Sequence, residues 1–174
     1  YILDWNGVHA SSSPDIRRRA LEGPTGHNNI DSAAFTLAVL SGFQSTPLDS
    51  AFFYGSGVDG NWGFSDSNRL FNKNFYALRM FGEIVSGYTT LVKCKSTAKT
   101  VYTLAAFSDD DSKACLLLVD YRGTEQVLDA EIKGISHMKC VSATVLDNCR
   151  DALPAAVAWK DGRLMFVKDD KRSC

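Results

Sequence analysis

Tyr88 divides the chain into two halves of different grammar, and that change limits the available folds more than any other feature. Before it, apolar residues recur at helical spacing between two short apolar runs. Ile30, Ala33, Ala34, Leu37, Ala38 and Phe43 predict one helix, with Asn28 as its N-cap, Asp31 in its first turn and an end near Gly42 to Pro47. Phe71, Phe75, Leu78, Phe81 and Val85 predict a second, over about Phe71 to Val85. Tyr1-Ile2-Leu3 and Leu48 to Tyr54, the latter with the continuous apolar core Ala51-Phe52-Phe53-Tyr54, read as strands buried on both faces. Strand–loop–helix repeated twice belongs to an α/β arrangement with parallel strands.

After Tyr88 helical periodicity stops, and short strands follow at roughly ten-residue spacing. They are expected over Thr90–Lys95, Val101–Phe107, Ala114–Tyr121, Gln126–Lys133, Lys139–Leu146, Ala155–Trp159 and Arg163–Lys168. Ala114 to Val119 is apolar throughout and is expected at the centre of a sheet, whereas Leu128, Ala130 and Ile132 alternate with charged residues and predict one wet face. Asp161-Gly162 between apolar runs predicts a two-residue hairpin. The expected domains are therefore 1–88, α/β, and 89–174, an antiparallel β-sandwich.

The 174 residues carry a formal charge of −1 with acids and bases interspersed, which argues against a nucleic-acid or anionic-membrane partner. The longest apolar run, Ala114 to Val119, is too short to span a bilayer. Five cysteines without a CxxC pair argue against zinc or iron–sulfur ligation and toward reduced, partly buried thiols. With no N-x-Ser/Thr sequon, they lean toward a cytosolic or bacterial setting, and the compartment stays open.

Several local patterns lack the surroundings their chemistry needs. Gly55-Ser-Gly-Val-Asp-Gly60 spells GxGxxG after a strand, yet Asn61-Trp62-Gly63-Phe64-Ser65 does not open a helix, so a flexible loop fits better than a dinucleotide site. Asp109-Asp110-Asp111 lacks the spacing and distal Glu of a calcium loop and reads as a solvated turn. His9, His27 and His137 are dispersed, so no metal site is expected. Ser11 to Ser13 lack a nucleophile-elbow setting, and Arg17-Arg18-Arg19 in the long loop after Gly7 reads as a solvated run. Trp5 and Trp62 suit a core or a sugar platform equally, since loop aromatics beside polar groups fit the apolar face of a pyranose.

Taken in order, Leu3-Asp4-Trp5-Asn6, Ser50 to Tyr54, Gly60 to Phe64 and the helix Asn72 to Phe81 resemble the end of a (β/α)₈ glycoside hydrolase of family 39, the β-xylosidases and α-iduronidases. The resemblance covers residues 1–88 by motif and 89–174 by architecture alone. It implies the last two β/α units of a barrel followed by an accessory sandwich. It places Asp4 at the position of the catalytic nucleophile, and Trp5, Asn6, Tyr54 and Trp62 around the sugar, with no cofactor. The sequence departs from the family in two ways: Asp4 stands where the family has Glu, and the Asn-Glu-Pro that carries the general acid is missing. Glu22 and Glu83 are the only glutamates before residue 88, and nothing marks either as that acid.

A barrel needs about 250 residues, so six units are missing. The expected partners are a carbohydrate and either an N-terminal barrel segment or a second copy of the chain. The expected function is retaining hydrolysis of glycosidic bonds in the intact protein. The alternatives are a non-catalytic carbohydrate-binding or scaffold protein and, on Gly55 to Gly60 alone, a nucleotide-binding domain.

Overall fold

A computed structural model describes residues 2–5, 29–53, 64–65, 69–121, 142–160 and 163–166. The chain forms two compact units, Tyr1–Gly123 and Thr124–Cys174. Residue 88, where the sequence changes character, lies inside the first.

The first unit contains strand β1 (Ile2–Trp5), helix α1 (Ile30–Phe43), strand β2 (Ala51–Phe53), helix α2 (Lys73–Gly87) and strands β3 (Thr90–Val92), β4 (Val101–Phe107) and β5 (Ala114–Asp120). β1 and β2 pair in parallel, while β3, β4 and β5 form an antiparallel sheet in that order. Both helices start at an asparagine cap. Asn29, one residue beyond the expected cap, accepts from the Ser32 amide, and Asn72 accepts from the Phe75 amide, each at 3.1 Å. Each bond satisfies one of the amide groups that a helix start leaves without a partner.

α1 sits against α2 and also against β4 and β5. Its buried residues are Ser32, Ala33, Thr36, Leu37, Ala38 and Ser41. On α2 the buried stripe is Asn74, Ala77 and Phe81, rotated from the expected one: Phe71 and Val85 are exposed. The rotation has a polar cause. Asn74 is fully buried; it accepts a hydrogen bond from the Thr36 hydroxyl and donates one to the Ser32 hydroxyl, both at 2.9 Å. A buried amide is tolerated where its hydrogen bonds are made, so an uncharged polar residue occupies the seam between the helices.

The face of the three-stranded sheet toward α1 carries Leu104, Ala106, Leu117 and Val119, all buried. Phe35 of α1 and Tyr121, just past β5, meet with ring centroids 5.7 Å apart. The apolar strand β5 lies at the edge of this sheet among the described residues, and β4 takes the centre expected for it.

Among the described residues the second unit holds two antiparallel strand pairs, β6 (Ala143–Val145) with β7 (Leu153–Ala155), and β8 (Val157–Lys160) with β9 (Arg163–Phe166). Lys160 pairs with Arg163, the register a two-residue connection at Asp161-Gly162 requires. In the β6–β7 turn, Asp147 accepts from the amides of Cys149 and Arg150 and pairs with the Arg150 guanidinium. Burial raises the Asp147 pKa, but these bonds and the Arg150 charge outweigh it and hold the carboxyl below its ordinary range. Cys94 and Cys115 are free and partly buried, whereas Cys149 is disulfide-bonded and departs from the expected lean toward reduced thiols.

The expected architecture, two barrel units followed by a sandwich, is overturned. Among the described residues the parallel contribution is one pair of strands, and the other three sheets are antiparallel. A barrel strand is covered on both faces, yet Ala51 and Phe52 of β2 are exposed. A sandwich needs a second sheet over the first; the β3–β5 sheet instead takes α1 on one face. Among the described residues the arrangement is mostly sheet with two helices. The expected strand Gln126–Lys133 lies outside the described residues.

Replacing Asn74 with Ala leaves the Thr36 and Ser32 hydroxyls facing a buried void. Urea unfolding followed by circular dichroism is expected to show a loss of about 1–3 kcal/mol per orphaned group, and a loss below about 0.5 kcal/mol, the size of an ordinary surface substitution, would contradict the bridge.

Candidate functional site

Parallel strands leave a sheet at the same edge, and that is what β1 and β2 do. Ile2 stands opposite Ala51 and Trp5 opposite Phe53. β1 takes three steps where β2 takes two, so the pair carries a bulge-like irregularity at Leu3-Asp4. Such irregularities re-aim a strand and gather near sites; no residue type in Ile2 to Trp5 announces it. The backbones of Asp4 and Trp5 are thereby set at the C-terminal end of β1, beside the end of β2. Asn6, Tyr54 and Trp62, the other expected site residues, lie outside the described residues, as do Glu22 and the Gly55–Gly60 loop.

A run of aromatic rings adjoins that edge and joins Phe53, expected in a buried strand, to Phe64 of the expected loop and to Phe71 and Phe75 of the expected helix face. Phe53, the last residue of β2, stacks on Phe64 with centroids 5.3 Å apart and an angle of 25°. Phe64 meets Phe75 at 6.4 Å, and Phe75 lies nearly parallel to Phe71 at 3.8 Å and 11°. Two backbone links hold the segment: Ser65 bridges to Phe71, and the Asn72 amide donates to the Phe64 carbonyl at 2.9 Å. Tyr76 extends the run edge-on to Phe75 and receives the Arg79 guanidinium over its ring at 5.3 Å. The signal available in the sequence was the spacing Phe71-x-x-x-Phe75 across the Asn72 cap.

Glu83 is exposed on α2 and pairs with Arg79 one turn earlier at 3.6 Å, a surface ion pair remote from any acid–base role. No group of three His, Cys, Asp or Glu side chains suited to a metal occurs among the described residues, and no described helix is long and apolar enough to cross a membrane. The acidic triplet is a turn between β4 and β5 that uses its own carboxylates. Asp110 accepts from the hydroxyls of Ser108 and Ser112 at 2.7 Å and from the Ser112 amide at 3.1 Å, and Asp109 accepts from the Thr89 hydroxyl. Asp111 takes a left-handed φ of 54°, which Asp tolerates.

No family model matches the chain, and neither a curated protein nor a solved structure matches it.

The Ser112 and Ser108 hydroxyls and the Ser112 amide bind the ionised form of Asp110 and lower its pKa from 3.8 to about 2. A depressed carboxyl contributes stability above its unfolded pKa and loses it as pH falls through the folded value. The turn is therefore expected to hold above about pH 4 and to loosen toward pH 2. Carboxyl-carbon NMR titration should place the Asp110 midpoint near 2; a midpoint at or above 3.8 would contradict these bonds.

Proposed function

We propose that the chain is part of a glycoside hydrolase related to the β-xylosidases, and that the C-terminal edge of β1 and β2 is its saccharide-facing surface. The observation that supports this reading is the parallel pairing of Trp5 with Phe53, which puts the acid-Trp end of one strand beside the aromatic end of the other. Asp4 is the carboxylate at the nucleophile position, and Trp5, Asn6, Tyr54 and Trp62 contact the sugar, Asn6 through its side-chain amide to a sugar hydroxyl. The edge carries this reading without a barrel around it.

Retaining hydrolysis uses two carboxyls about 5–5.5 Å apart. Asp4 supplies one, and the acid comes from outside these 174 residues. Aspartate in place of glutamate draws the carboxylate back by about a bond length, and a displacement near 1 Å costs on the order of a hundredfold in rate. That substitution favours a second reading, a non-catalytic carbohydrate-binding role for the same edge. The two part on whether the full gene product turns over aryl xylosides with an Asp4→Asn variant inert.

Calorimetric titration of the 174-residue chain with xylotetraose tests what both share. Binding is expected, weakened about tenfold, or ~1.4 kcal/mol, by Trp5→Ala or Trp62→Ala. Unchanged affinity in both variants would overturn this placement of the sugar, and aryl xyloside turnover by this chain alone would overturn the assignment of the acid elsewhere.

A further inference from the structure

Phe71 stands just ahead of the Asn72 cap and stacks on Phe75, the position from which a hydrophobic staple fixes how a chain enters a helix. A staple alone is served best by burying the ring. Phe71 is instead 53% exposed, with one face against Phe75 and the Ser65 bridge and the Asn72 amide holding its backbone from either side. The result is a flat apolar ring, pinned at its base and open to solvent. A rigid aromatic of this kind contributes contact area with little ordering cost on binding.

The ring is continuous with the edge already described, through Phe75 and Phe64 to Phe53 beside Trp5. Arg69, exposed and two residues earlier in the chain, carries hydrogen-bond donors. A pyranose has matching chemistry, with C–H groups on one face and hydroxyls around its rim.

We infer that Phe71 is a stacking platform for a pyranose ring, extending the saccharide surface along the start of α2. The inference rests on the proposed sugar-binding role and adds a subsite that the strand-end residues do not supply. The ring's place at the end of an aromatic run makes it a subsite for a further residue of an oligosaccharide, beyond the one over Asp4.

The test compares xylotetraose binding by the full chain and by Phe71→Ala, Phe71→Trp and Phe52→Ala, with thermal midpoints recorded for each. Phe52 is exposed to the same extent but makes no ring contact among the described residues. Expected are a loss of about tenfold for Phe71→Ala, affinity within about threefold of the parent for Phe71→Trp, and no change for Phe52→Ala. If the parent chain binds, Trp5→Ala weakens it and Phe71→Ala does not, the platform is overturned while the sugar-binding reading stands. Equal losses in Phe71→Ala and Phe71→Trp would leave Phe71 a helix staple only and also overturn the platform. Absence of binding by the parent chain would overturn both.

Discussion

The first unit depends on one buried amide. Asn74 is fully enclosed between α1 and α2, where it is bonded to Thr36 and Ser32. Apolar side chains such as Ala33, Ala77 and Phe81 slide past one another at small cost, whereas a slipped amide loses its partners in a low-dielectric setting. The hydrogen bonds therefore fix the rotation of α2 about its own axis. That rotation turns Phe81 inward and leaves Val85 out. It also sets how Phe71 and Phe75 stand at the start of the helix, because the Asn72 cap and Asn74 lie within the same turn.

α1 then works in two directions. Its Ser32–Thr36 side meets α2, and Phe35 reaches Tyr121 at the end of β5. The antiparallel sheet thus rests on the first helix, although the sequence between them changes from helical to strand grammar at Tyr88. Spatial grouping follows contact across that change, and residues 1–123 form one unit as a result.

Much of the local structure was legible from residues. Both helices, the long strands β4 and β5, and the register at Lys160 and Arg163 follow from apolar spacing and turn chemistry. What escaped was whatever depends on a partner distant in sequence. Asn74 counts as polar in any periodicity, so its burial shows only once Ser32 and Thr36 are beside it. Ala114 to Val119 is apolar enough for a central strand, but strand order is set by which hairpins close, and β4 lies between its two sequence neighbours. Strand–helix–strand alternation reports neither how many strands join a sheet nor what covers them, which is why the barrel expectation failed at the exposed Phe52. Of the expected site, the backbones of Asp4 and Trp5 are placed at one strand end, while the exposure of Phe71 depends on a cap geometry that residue type alone does not encode.

The edge proposed to face a saccharide exists because β1 and β2 run in the same direction with Trp5 beside Phe53. Backbone proton contacts in an isotopically labelled sample measure it directly. Parallel pairing predicts cross-strand nuclear Overhauser effects between the Trp5 and Phe53 backbones and between those of Ile2 and Ala51. Contacts joining Ile2 to Phe53 and Trp5 to Ala51 would reveal antiparallel strands, send the two ends to opposite edges and remove the saccharide surface proposed for them.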